Sequence, residues 1–222
     1  MNLLQKIVAT PEVPAESEET LGDLRFRKLL SAEDWAALPL PIRRRFSKRL
    51  AWGKSVIYTG ETIETKMTWA GWAWAQLARL VGGPLPTSRD ALVPAIVTVT
   101  EHAKSGGQTW TRLYVRRKSF PQVIHSSKQF SGPTGLEEYV TPRVGMALTV
   151  HVENETLLFR SHCFFLRLGA LRIVLPVWLT PGALTVTHAE CGDGQFIFVL
   201  EVDHPLLGQI IRQTAAFREA RP

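Results

Sequence analysis

The sequence predicts an α+β fold that is mainly antiparallel β. The expected form is a curved meander sheet, a barrel or half-barrel, with an apolar helix packed on or in it and short helices before it. Three observations predict this. From Ala95 onward, short runs of alternating apolar and polar residues recur between Gly- and Pro-containing turns, the pattern of successive hairpins. Trp69 to Val81 (WAGWAWAQLARLV) is apolar almost all round and ends at Gly82-Gly83-Pro84, a helix stopped by C-cap chemistry. Leu157 to Gly182 is the most apolar run, yet it carries Arg160, His162, Arg167 and Arg172. Each charge at bilayer depth costs roughly 2.5–3.5 kcal/mol, so the run reads as strands.

In that run, His162, Phe164, Leu166 and Leu168 share one face by period two, and Leu171, Ile173 and Leu175 continue it. Gly169-Ala170 is a two-residue turn with Gly first. The expectation is a central hairpin with one buried face. The second face is mixed, with Phe165 and Val174 beside arginines.

Residues 1–22 are rich in Glu and Pro and read as a flexible acidic arm. Residues 23–222 then form a single β-rich domain. Asp23 to Leu30 shows a short helical pattern. Ser31 with Asp34 resembles a helix cap for the turn holding Trp35 and Leu38. After Pro41, Ile42, Phe46 and Leu50 make one apolar stripe, and Arg43, Arg44, Arg45, Lys48 and Arg49 occupy the rest. Gly53 to Thr68 is strand material with a turn at Thr59-Gly60. The strands after Pro84 run through Ala95–Thr100, Trp110–Val115, Phe120–Phe130, Leu136–Tyr139 and Met146–Val152. Leu184–His188 and Phe196–Val202 follow around Gly192-Asp193-Gly194. Gln209–Phe217 is a last strand or a helix.

A chain of 222 residues with 45% apolar content can bury a full core. Its net charge of +6 directs attention to anionic partners. Two cysteines, Cys163 and Cys191, are too few for a disulfide framework and read as buried free thiols in a reducing compartment. The N-terminal residues lack the pattern of a secretory signal. The expected location is the cytoplasm, with peripheral contact at the inner membrane as an option.

The six histidines show no metal-ligand spacing. A site from His162 and His188 is the weak exception, and no metal is assigned. There is no G-x-S-x-G and no G-x-G-x-x-G, so no cofactor is assigned. Cys163 and His162 are adjacent in a strand and point to opposite faces. The best polar candidates are Arg112, Glu137 and Glu138. Arg112 lies between Trp110 and Tyr114 on one strand face. If that face is interior, Arg112 needs a carboxylate, with Glu138 the natural partner, or it holds an anionic ligand. Trp69, Trp72 and Trp74 are candidates to line an apolar pocket, against a reading as plain core. The basic run Arg43–Arg49 is a candidate anion site, against a reading as a solvated helix face. Nucleic acid is disfavoured, because no aromatic single-strand platform accompanies it.

The ordered pieces also resemble a known family. They are Trp35-x2-Leu38-Pro39, Phe46-Ser47, Gly53-x2-Val56-x3-Gly60, the helix ending in GGPLP, Trp110-x-Arg112, Phe120 with Ser126, and Glu137-Glu138. LPVWLTP at 175–181 and DGQFIFVLEVDHPLLG at 193–208 complete the set. Together they resemble the bacterial domain of unknown function family 4166 over residues 24–217. The resemblance implies no reaction. It implies relatives fused to saccharopine-dehydrogenase-like or epimerase-like Rossmann domains, hence a separate Rossmann-type oxidoreductase as a partner. The chain departs from the family at its end, where Ile211 to Phe217 stands in place of Tyr-x-Gly-x-Leu.

The leading expectation is a non-catalytic binding module for a hydrophobic, lipid-like or aromatic small molecule anchored by Arg112. The alternatives are an enzyme or accessory domain with Glu138 or His162 as acid–base, and attachment to an anionic membrane surface through Arg43–Arg49.

Overall fold

A computed structural model describes residues 22–48, 50, 54–102 and 104–220, and in it ten antiparallel strands close into a barrel. The strands are β1 (Ser55–Met67), β2 (Val93–His102), β3 (Gly107–Arg116), β4 (Ser119–Gln129), β5 (Glu137–Tyr139) and β6 (Val144–Glu153). They continue as β7 (Thr156–Leu168), β8 (Leu171–Val174), β9 (Ala183–Gly192), β10 (Gln195–His204) and β11 (Gly208–Glu219). β1 to β7 form an unbroken meander. β7 then pairs with β9, β9 to β11 continue, and β11 closes on β1. The predicted meander is therefore present and its ten-strand wall is fully closed, so among the described strands only β8, paired on one side with β7, keeps a free edge. Gln209–Phe217, left between strand and helix, lies in β11.

The β7–β8 hairpin differs from its expectation as the central buried pair. Only β7 belongs to the wall. Leu157 to Arg160 pair with β9, while Phe165 to Leu168 pair with β8, which extends beyond the rim as a flap. Leu171 and Val174 of the flap are more than half exposed. The cause is a bulge at His162: the register with β6 passes from Cys163 to Ser161 across consecutive β6 residues. An extra residue moves later side chains to the other face. Leu157 and Phe159 point into the core, and after the bulge Phe164 does so while Phe165 packs on the outer wall against Tyr139 and Arg172.

β1 also runs straight through the expected turn at Thr59-Gly60. Gly60 is there for contact: a Cβ on it would lie 1.8 Å from the Ala216 carbonyl oxygen. Cys163 is half-buried and Cys191 is exposed, so the expectation of two buried thiols fails for Cys191, which falls at the end of β9.

The segment from Gly22 to Leu50 plugs one end of the barrel. It contains a 3-10 turn at Arg27–Leu29 where a longer helix was expected, then α1 (Ala32–Ala37) and α2 (Leu40–Phe46). The Ser31 hydroxyl accepts from the Asp34 amide at 3.0 Å, as the cap pattern predicts. Phe26, Leu38, Ile42 and Phe46 are at most 2% exposed. Such side chains contribute about 1.5–3 kcal/mol each on burial. Phe26 meets Phe46, Phe130 and Phe159 edge-on at 5.2, 4.9 and 6.0 Å. The acidic arm, apart from Gly22, lies outside the described residues, as does Arg49.

The opposite rim carries α3 (Trp69–Ala78), continued by a 3-10 turn at Arg79–Val81. Thr68 caps it by accepting from the Gly71 amide at 3.1 Å, and Gly82 ends it with φ 95°. The helix is therefore where the sequence placed it, but it is not buried all round. It packs through its small residues Ala70, Gly71 and Ala75 and turns Trp69 and Trp72 outward. The reason is close approach: a Cβ on Gly71 would sit 2.2 Å from the Ile210 carbonyl oxygen. Among the described residues, no helix is long and apolar enough to cross a membrane.

Gly71→Ala is expected to lift α3 off the start of β11 and to cost about 1–3 kcal/mol in urea denaturation. Unchanged stability would show that the helix is not held by that contact.

Candidate functional site

The inner face of β3 presents Trp110, Arg112 and Tyr114, all buried as period two predicts. β4 runs beside it and presents Ile124, Ser126 and Lys128 inward. β5 follows with Glu138 inward, opposite Lys128 on one side and Met146 on the other. Alternation sends Glu137 to the outer wall. Three charged groups thus meet inside the barrel. Arg112 NH2 donates to Glu138 Oε1 at 3.3 Å, and Lys128 Nζ donates to Glu138 Oε2 at 2.7 Å. Arg112 NH1 donates to Ser126 Oγ at 3.2 Å, while Arg112 Nε has no partner among the described residues.

Aromatic rings complete the shell. The Trp110 indole donates to Gln108 Oε1 at 3.1 Å and its ring lies 5.1 Å from Lys128 Nζ. Cation–π attraction of this kind offsets part of the cost of burying ammonium. His188, on β9, is boxed by Phe46, Phe196 and Phe198 at 5.1, 6.0 and 5.2 Å.

Two cations share one carboxylate here, and the proton affinities follow. Burial raises the Glu138 carboxyl, but Lys128 and Arg112, with hydrogen bonds from Lys128 and Ser126, outweigh it and hold the group at about 2. Burial lowers Lys128 more than its single carboxylate restores it, and Arg112 lowers it further. Burial, then Arg45, Lys128 and Arg112, push His188 well below its ordinary value, so it is neutral. Burial raises the Tyr114 phenol. The carboxylate is over-compensated and the cations are under-compensated.

A cavity of about 40 Å³ opens beside Arg112, between Ile124, Met146, Leu184, Val186 and Leu200. It reaches Pro84 and Val140 at the rim that carries α3. That volume holds a few waters or one small polar group. A larger concavity lies elsewhere, an open groove of about 650 Å³ on the outer wall beside Thr109, His125, Ser127 and Tyr139. Below it, Tyr139 donates to Glu137 at 2.8 Å, Arg167 donates to Tyr139 at 2.8 Å, and Arg172 pairs with Glu137.

The other predicted site residues separate from this centre. Trp69 and Trp72 are 78% and 51% exposed and line no shared pocket with Arg112; Trp74 is half-buried, 6.5 Å from His204. The physical reason is the small-residue packing of α3. His162 is the exposed bulge residue of β7, so it does not join Glu138 or His188. Glu138 as an acid–base is ill-suited at neutral pH, because it stays ionised with a cation on each oxygen. The basic run also divides. Arg45 pairs with Glu190 at 3.2 Å and lies over Phe196, Lys48 pairs with Glu219, and Arg43 is half-buried. Arg44 alone among its described members is exposed. A continuous anion-binding face is not formed there, since the plug turns half of the run inward.

Sequence reasoning missed Lys128, Ser126 and the aromatic box around His188. The available signal was Ile124, which marks the inner face of β4 and carries Ser126 and Lys128 with it.

A model of one protein family, described as a domain of unknown function (DUF4166), matches residues 38–217. No curated protein and no solved structure matches the chain.

Glu138 supplies stability that depends on pH. Its carboxyl takes a proton near 4.5 in the unfolded chain and only near 2 in the folded one. Its contribution is complete above the first value and is lost as pH falls to the second, roughly 3 kcal/mol in all. Urea denaturation across that window should show the loss in the wild type and not in Glu138→Gln. The variant should also be about 3–5 kcal/mol less stable at neutral pH, because two cations lose their partner.

Proposed function

The chain therefore belongs to the family described as a domain of unknown function (DUF4166), and we propose that this member is a binding module that takes an apolar small molecule by its acidic group. The observation that carries this reading is the charge balance inside the barrel. Arg112 and Lys128 face one buried carboxylate, and Arg112 Nε, beside an apolar cavity, has no partner among the described residues. A second carboxylate at Arg112 balances the cluster and gains a charge-assisted hydrogen bond. Ile124, Met146, Leu184, Val186 and Leu200 shield the acid group from water.

Size sets how such a ligand enters. Sites for ligands of ordinary size span about 300–1,000 Å³, and the cavity of about 40 Å³ takes only the acid group. The rest of the molecule passes between Pro84 and Val140. There Gly82 rests on Val140, with room for no Cβ: one would lie 2.8 Å from the Val140 oxygen. Lifting the Gly82–Pro84 strap opens this route. Nothing in the mechanism needs proton transfer, and Glu138 serves as the counter-charge that positions Arg112 and Lys128.

The test compares decanoate with decanol and decylammonium in thermal denaturation. Decanoate should stabilise the protein, by about 2.7 kcal/mol at a hundredfold excess over Kd, and the other two should not. Arg112→Gln should remove the preference while the variant stays folded by circular dichroism. Equal stabilisation by decanol, or none by decanoate, overturns the reading.

A further inference from the structure

The rim that carries α3 differs from every other surface of the protein. Among the described residues, 22 large apolar side chains are exposed, and 16 of them lie on the turns, helix and flap of this rim. They include Trp69 at 78%, Leu80 at 86%, Phe120 at 89%, Trp178 at 72% and Leu206 at 87%. α3, the β10–β11 turn and the segment before β9 adjoin at His204: Trp74 is 6.5 Å from its ring, and Gly182 abuts its Cα. An apolar patch this large on an otherwise polar surface marks an interaction site.

The charge of the same rim is one-sided. Residues 68–92, 116–120, 140–143, 167–182 and 203–208 hold eight Lys or Arg, two Asp and no Glu. Arg79, Arg89, Arg117, Lys118, Arg143 and Arg167 are exposed. Basic residues flank the apolar stretches along the chain, as in Arg79-Leu80 and Arg167-Leu168, although 69–78, 173–182 and 203–208 themselves carry none. The core of a protein–protein interface is depleted of charge. Tryptophan at headgroup depth, leucine and phenylalanine below it and Lys or Arg reaching phosphates are the chemistry of an anionic bilayer surface.

We propose that this rim docks on the surface of a bilayer containing anionic lipids, with Trp69, Trp72, Trp178, Phe120 and Leu206 entering the headgroup region. The plugged end, with Arg44 and the Arg45–Glu190 pair, faces away. The inference rests on exposed rim residues and stands whether or not the barrel binds an acid at Arg112. If both hold, the Pro84–Val140 route opens towards the lipid.

The test is co-sedimentation of the full chain at low salt with vesicles of phosphatidylcholine alone and of phosphatidylcholine with phosphatidylglycerol. The chain should pellet with the mixed vesicles and be released by high salt. Arg117→Glu with Lys118→Glu should lower the partition at least roughly twentyfold, taking each cation near an anionic surface at about fivefold. Trp178→Ala with Leu206→Ser should lower it at low salt, with the charges intact, and Leu24→Ser with Leu40→Ser at the plugged end should not. Circular dichroism checks that each variant folds, and all four positions in the rim variants are exposed. No pelleting with mixed vesicles, or pelleting unaffected by the rim variants, overturns the proposal. So does light scattering that shows a dimer converted to monomer by Trp178→Ala with Leu206→Ser, which assigns the rim to a second copy.

Discussion

Closing ten strands creates an interior that must be filled. Barrel diameter grows with strand number, and inward side chains of ordinary size do not reach the axis of a barrel this wide. The rest of the structure answers that constraint. Phe26, Ile42 and Phe46 are driven into one end from a segment outside the sheet. α3 and the Gly82–Pro84 strap cover the other. Between them, the long side chains of Arg112, Lys128 and Glu138 span the middle and meet one another.

Filling the middle with ions is costly, and here it is done unevenly. Replacing one partner of a buried pair leaves a bare charge, whereas replacing the whole group by apolar residues is often neutral. A core selected for stability alone has no need of the cluster. Its two-to-one charge ratio, the Arg112 Nε without a partner among the described residues and the cavity beside it are the features on which the proposed binding of an acid rests. Two cations, one on each carboxylate oxygen, hold Glu138 acidic, while burial, with Arg112 adding to it, weakens Lys128 as a base.

Local rules were legible in the sequence where local chemistry decides the outcome. The Ser31 cap, the stop at Gly82 and the Trp110–Arg112–Tyr114 face follow from spacing alone, and Glu138 was one of two partners that a buried Arg112 allowed. Three features were not legible. The bulge at His162 depends on how β6 and β9 grip β7, and no residue type announces it. The burial of Ala70, Gly71 and Ala75 in place of the tryptophans depends on the backbone of β11 approaching within contact distance. Lys128 reads as a solvent residue until closure of the sheet places it inside. In each case tertiary geometry overrides a correct local pattern, and the candidate site was half visible for that reason: its β3 wall and Glu138 from the sequence, its Lys128 and its narrow cavity from the closed barrel.

The two ends of the described chain meet at one place. Gly22 bridges to Lys48, and Lys48 Nζ contacts Glu219 at 2.5 Å near the end of β11. Both lie at the plugged end, opposite the apolar rim. The first and last described segments of backbone are thus tied together at the base, by the lysine that bridges them, so the apolar lip is the end of the barrel that neither of them crosses.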